Sequence, residues 1–158
     1  MKNHSDTTAI ILAAGRGVRM NSDLPKVLHQ ACGKSLIYHV LAQVVALKQV
    51  KQIVVVAGYK SKVLEQQARE YFRGKTGFKF PENQVRFVYQ PKILGTAHAV
   101  LCARKSVVCP NSLILCADTP LIQADTLRGF VSGYFKKKPV CSVIPANMPG
   151  ENSLGPIV

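Results

Sequence analysis

The stretch TAIILAAGRGVRM, Thr8 to Met20, decides the fold. Thr8–Ala13 is a short apolar run of the kind that forms a buried strand, and it empties into a loop of small residues at Ala13, Ala14, Gly15 and Gly17. The alternation repeats downstream. After Gly33, the residues Ile37, Val40, Leu41, Val44 and Leu47 form one stripe of helical period within 34–48. Gln52–Ala57 (QIVVVA) predicts a second strand closed by Gly58, and Leu64, Ala68, Tyr71 and Phe72 mark a helix from Ser61. Residues 74–83 contain Gly, Pro and Asn and read as a loop. Val85–Tyr89 (VRFVY) is a third strand, and Ala99, Val100, Ala103 and Val107 share one side of a helix over Thr96–Val107. Leu113–Ala117 (LILCA) is a fourth strand with Asp118 at its end. A helix over Ala124–Phe135 follows, weakened by Gly129 and Gly133 at about 1 kcal/mol each, and Val140–Pro145 (VCSVIP) reads as a fifth strand.

Short strands alternating with helices imply an α/β fold whose mainly parallel sheet is covered on both faces. In such folds ligands bind beyond the carboxyl ends of the strands. That rule nominates the loop after Ala13, the segment after Gln90, and Asp118.

Composition bounds the rest. At 158 residues, with 47% hydrophobic and 18% charged residues, the chain is long and apolar enough for a real core and is not a disordered protein. No apolar run approaches the roughly 18 residues of a membrane span, and Met1–Thr8 lacks the apolar stretch of a signal peptide. The expected location is cytoplasmic. Five cysteines without a C-x-x-C pair argue against a disulfide framework or zinc site, and four of them are expected to act as small buried hydrophobes. A net charge of +13 attracts anions, but the basic residues are spread along the chain, with Lys136–Lys138 the one tight run.

The loop carries the chemistry. In LAAGRGVRMNSDLPKVLH, Leu12 to His29, small residues let a ligand approach the backbone, whose N–H groups can cradle phosphate oxygens. Arg16, Arg19 and Lys26 supply cations for a polyphosphate, and Pro25 stiffens the chain before Lys26. The bland alternative is an ordinary Gly-containing turn with solvated basic residues. The segment fits neither G-x-x-x-x-G-K-[ST] nor the three-glycine dinucleotide fingerprint.

The same segment resembles the L-A-A-G-x-G-T-R-M…L-P-K signature of sugar-nucleotide nucleotidyltransferases. With SDLPKVLH (Ser22–His29) and Gly33–Lys34 it is most similar to the uridylyltransferase part of the bifunctional N-acetylglucosamine-1-phosphate uridyltransferases. QPKILGTAHAV (Gln90–Val100) resembles the family's Q-x-x-Q-L-G-T-x-H-A, and LCADTPLI (Leu115–Ile122) resembles L-Y-G-D-x-P-L-I.

The resemblance implies a three-layer Rossmann-like sheet of the nucleotidyltransferase type, with 1–158 as a single, partial domain. It implies that Leu12, Ala13, Ala14, Gly15, Lys26, Gln90, Gly95 and Thr96 bind the nucleotide. Arg19 and Lys26 would be the catalytic cations, Asp118 the Mg²⁺ ligand, and Gly155 a sugar contact. Thr96 could equally be the N-cap of its helix. The implied partners are UTP and an amino-sugar 1-phosphate, with no membrane.

Departures accompany the matches. Cys116–Ala117 replace the family's Tyr-Gly before the metal ligand, Ile93 replaces a Gln, and Ser153–Leu154–Gly155–Pro156 stands for G-Y-G-R. The family's domain also continues beyond the position of Val158, so its C-terminal half is expected to be missing here, together with a sugar-binding Glu and a second Mg²⁺ ligand. Losing one preorganised contact typically costs about 2.7–4 kcal/mol. The expectation is therefore weak or no turnover by the isolated chain, with a complementing C-terminal half or a homo-oligomer as possible partners. A non-catalytic nucleotide-binding fragment, or half of a split enzyme, is the alternative. A basic nucleic-acid-binding protein is a distant third, since no stacked-aromatic, zinc or helix-turn-helix motif accompanies the charge.

Overall fold

The structure is a computed structural model that describes residues 3–73 and 78–145. Its strands are β1 (Thr7–Ala13), the two-residue β2 (Gln30–Ala31) and β3 (Lys34–Ser35), β4 (Val50–Ala57), β5 (Val85–Tyr89) and β6 (Asn111–Cys116). The helices are α1 (Leu36–Val45), α2 (Ser61–Phe72), α3 (Thr96–Ala103) and α4 (Ala124–Lys137).

The main sheet runs β5-β4-β1-β6, and every pair in it is parallel. Register follows the pleat. Ala9, Ile11 and Ala13 stand opposite Ile53, Val55 and Ala57, and with Leu113 and Leu115 they face α1, α2 and α4. Ile10 and Leu12, opposite Val54 and Val56, face α3 through Ala99 and Ala103. The strands therefore read as continuous apolar runs because both faces are covered. The α/β fold expected from the sequence is the one observed.

Local chemistry moves several boundaries. Residues 34–35 belong to a hairpin, because Cys32 (φ 50°) and Gly33 (φ 73°) both take the left-handed conformation of a tight two-residue turn. Helix α1 then starts at Leu36, where the Ser35 hydroxyl accepts from the Tyr38 N–H at 3.3 Å. The helix expected over Thr96–Val107 ends at Ala103 and tightens into a 3-10 turn, Arg104–Ser106.

Two expectations are overturned. Val140–Pro145 is not a strand: it has no ladder partner among the described residues, and Val140 and Val143 are exposed. An apolar β-branched run supplies strand propensity but not the neighbour that a strand requires. The cysteines are likewise not core residues: Cys32, Cys116 and Cys141 are exposed and Cys102 and Cys109 half-buried. Among the described residues no helix is long and apolar enough to cross a membrane.

Candidate active site

Because β1, β4, β5 and β6 are parallel, the loops after Ala13, Ala57, Tyr89 and Cys116 gather at one edge of the sheet. The segments nominated from sequence are therefore neighbours. The closest contact joins two of them: Lys26 Nζ donates to Asp118 Oδ2 at 2.6 Å. The two side chains are 40% and 34% exposed, so a ligand arriving from solvent can reach both.

Each partner is held from behind. Ala117 N donates to Leu12 O, which ties the end of β6 to the end of β1 and carries Asp118 past the sheet edge. Lys26 opens a 3-10 turn, Lys26–Leu28, behind the buried Pro25, while Val27 and Leu28 anchor that turn in the core. Gly17 completes the arrangement. At φ +64°, a Cβ added there would lie 2.7 Å from the Lys26 Cβ, so only glycine lets the loop lie against the lysine stem. Gly58 has a matching role at the end of β4, where an added Cβ would meet Ala14 O at 2.6 Å.

The other predicted residues occupy distinct environments. Leu12 is half-buried, and Ala13 and Ala14 are buried beneath the loop. Gly15, Arg16 and Arg19 are exposed, and nothing lies within 4 Å of a Cβ built on Gly15. Gln90 is buried, with its amide Nε2 3.2 Å from Gly95 O and 2.9 Å from His98 Nδ1. Gly95, at φ 91°, is the N-cap of α3. Thr96 is therefore the first helical residue rather than the cap, and its exposed side chain makes no capping bond. Gly155 lies outside the described residues.

Three neighbours were missed by sequence reasoning. Tyr59 lies under two cations, Arg16 at 5.2 Å and Lys60 at 5.3 Å from the ring centroid. Both line an open cavity of about 810 Å³ that reaches Gln90. Lys60 also donates to Asp23 O at 2.7 Å and closes the loop from its far side. An aromatic immediately after Gly58 was the available signal. His98 was quoted within a motif but given no role, and it now proves to be the partner that orients Gln90.

The electrostatics centre on Cys116, next to the ion pair. Burial of its sulfur and then the Asp118 carboxylate raise the thiol pKa, while Lys26 opposes them. The thiol is thus kept protonated where a carboxylate and an ammonium meet. Among the described residues no group of three or more His, Cys, Asp or Glu is placed to hold a metal. Asp118 alone still fits Mg²⁺, which is commonly held by one or two carboxylates while substrate phosphates and water complete its shell.

A MobA-like NTP transferase domain matches residues 9–151, nearly all of the chain. The chain belongs to the MobA-like NTP transferase family. It is 46% identical over 98 residues to the bifunctional protein GlmU of Pelotomaculum thermopropionicum, covering 62% of this chain and 18% of that protein. It is 37% identical over 160 residues to the bifunctional protein GlmU of Streptococcus equi subsp. zooepidemicus, covering 100% and 31%. The chain thus spans less than a third of the length of these curated relatives. Among solved structures, a UTP-bound UGPase from Acinetobacter baumannii superposes with a TM-score of 0.65 at 24% identity, over 84% of this chain and 54% of that one. The 4-diphosphocytidyl-2C-methyl-D-erythritolsynthase from Anaerococcus prevotii gives 0.64 at 18%, over 84% and 52%. Identities this low show a shared fold only.

Proposed function

We propose that this NTP transferase chain forms the UTP-binding part of an enzyme that transfers UMP to N-acetylglucosamine 1-phosphate, yielding UDP-N-acetylglucosamine and pyrophosphate. One observation carries the reading: Lys26 and Asp118, 92 residues apart in sequence, meet at 2.6 Å beside the Gly17 loop. Similarity to the GlmU proteins and the fold shared with a UTP-bound enzyme support it. The choice of amino sugar rests on the Ser22–His29 motif.

In-line attack by the sugar phosphate on the α-phosphorus of UTP needs little proton transfer, so the protein's work is positioning and charge neutralisation. The backbone from Leu12 to Gly15 holds phosphate and base, and Gly95 and Thr96 hold the uracil edge together with the Gln90 Oε1 acceptor, the Gln90 N–H donors being directed at Gly95 O and His98 Nδ1. Lys26 leaves Asp118 for the incoming phosphates, and Arg19 joins it in offsetting charge on the departing pyrophosphate. Asp118, once released, would hold Mg²⁺, which when bound would help to neutralise the reacting phosphates.

The isolated chain is expected to bind UTP better than it turns over. A second polypeptide that completes the site is then the partner to seek. Calorimetric titration with UTP and Mg²⁺, followed by addition of N-acetylglucosamine 1-phosphate and a pyrophosphate assay, tests both parts. Saturable UTP binding that Lys26→Ala and Asp118→Ala each weaken is the expected result. Absence of UTP binding refutes the proposal, and rapid pyrophosphate release by the chain alone refutes its incomplete-site component.

A further inference from the structure

At the opposite edge of the sheet, where the strands begin, lies a second depression of about 510 Å³. Its lining includes Lys51, Arg86 and Lys105 with the carboxamides of Asn83 and Gln84, and among the described residues no carboxylate and no aromatic ring. None of the three cations forms an ion pair among the described residues. Lys51 gives one hydrogen bond, to Lys48 O at 2.8 Å. Glu82, next to Asn83 in sequence, is engaged instead by Arg69 and Arg73. Three cations with donor amides and no counter-charge form an anion site by composition.

The site is also built rather than incidental. Gln52, buried in its floor, accepts from the Thr8 hydroxyl at 2.8 Å and from Val108 N at 3.2 Å, and donates to Ser106 O at 2.8 Å. That network fixes the 3-10 turn Arg104–Ser106, and with it Lys105, against the starts of β1 and β4. From Gln52 to Ala57 a strand advances roughly 16 Å, about two Debye lengths at physiological salt. An anion here is thus screened from the cations of the Gly17 loop.

We propose that this depression is a second oligophosphate site, independent of the nucleotide site described above. Three clustered cations suit a ligand carrying several charges on adjacent phosphates. The absence of an aromatic platform disfavours recognition of a base or of single-stranded nucleic acid, which relies on stacking.

The test is a ¹H–¹⁵N NMR titration of the full chain with tripolyphosphate in the absence of Mg²⁺. Saturable shifts at Lys51, Gln84–Arg86 and Lys105 are expected, persisting in Arg19→Gln/Lys26→Gln and vanishing in Arg86→Gln/Lys105→Gln. Unchanged amide positions for buried Val54 and Val56 verify that each variant is folded. The charge-matched Lys136→Gln/Lys137→Gln should retain the site; equal loss there would reduce it to general electrostatics and overturn the proposal. So would shifts that follow the loop substitutions, shifts that never saturate, or tighter binding of a short single-stranded oligonucleotide than of tripolyphosphate at equal phosphate.

Discussion

At Gly17 one backbone angle links the loop to the candidate chemistry. A side chain there would be strained twice, by the left-handed φ of +64° and by the Lys26 Cβ at 2.7 Å. Gly17→Ala should therefore destabilise the fold by about 2 kcal/mol and weaken UTP binding by displacing Lys26. Gly15→Ala is the informative contrast. With open space around its Cβ, it should leave denaturant stability within about 0.5 kcal/mol yet impair UTP binding, because the methyl occupies the ligand's approach. Equal loss of stability in both variants would contradict this division. Cys116 reports the same centre without substrate. Since burial and Asp118 raise its pKa, less thiolate is present at a given alkaline pH, and alkylation should be slower than at an ordinary exposed thiol with its pH profile displaced upward. Removing the opposing ammonium by Lys26→Ala should displace the profile further upward, and Asp118→Asn should move it down. Iodoacetamide kinetics followed by peptide mass spectrometry reads both signs.

Among the elements, α1 and α4 show opposite uses of local sequence. Ser35 caps α1 and also lies 2.7 Å from the Tyr71 hydroxyl, so one buried oxygen joins a helix start to the end of α2. Ser35→Ala should cost about 1–2 kcal/mol, measured by urea unfolding, and Ser35→Thr should recover part of it. In α4, Gly129 has nothing within 4 Å of an added Cβ and a helical backbone, so Gly129→Ala should stabilise by about 0.5–1 kcal/mol. These cases mark what was legible. Helical stripes and apolar strands announced β1, β4, β5, β6 and the four helices because their periods survive in sequence. The hairpin at Cys32–Gly33 was not announced, since the left-handed angle at Cys32 is set by the turn rather than by residue preference. The site was half legible. Motif spacing nominated Lys26 and Asp118, whereas Tyr59, His98 and the floor of the second depression depend on contacts between elements. No single segment encodes those contacts.

For the molecule as a whole, β5 and β6 are the two edge strands of the sheet among the described residues, and β6 is the one that carries a half-exposed isoleucine, Ile114. Its register places Ser112, Ile114 and Cys116 opposite Thr8, Ile10 and Leu12, on the α3 side of the sheet. Helix α3 meets that face chiefly through Ala99 and Ala103, and it leaves Ile114 46% exposed. A parallel sheet is stable when both faces are covered, and an open apolar edge offers unpaired backbone groups to any strand that approaches. Two forces thus act at one place: burial of Ile114 and completion of the β6 ladder. The net charge of +13 opposes both by repelling like copies, so association should strengthen as salt screens that repulsion. Sedimentation velocity over a concentration series at low and high salt should reveal self-association that grows with both. Ile114→Lys should suppress it at little cost in stability, because the side chain is already half in water, while Leu121→Lys, at a 90% exposed position beyond the strand, should not. If Ile114→Lys leaves the association unchanged, or the chain stays monomeric throughout, then β6 is not the surface through which this molecule finds a partner.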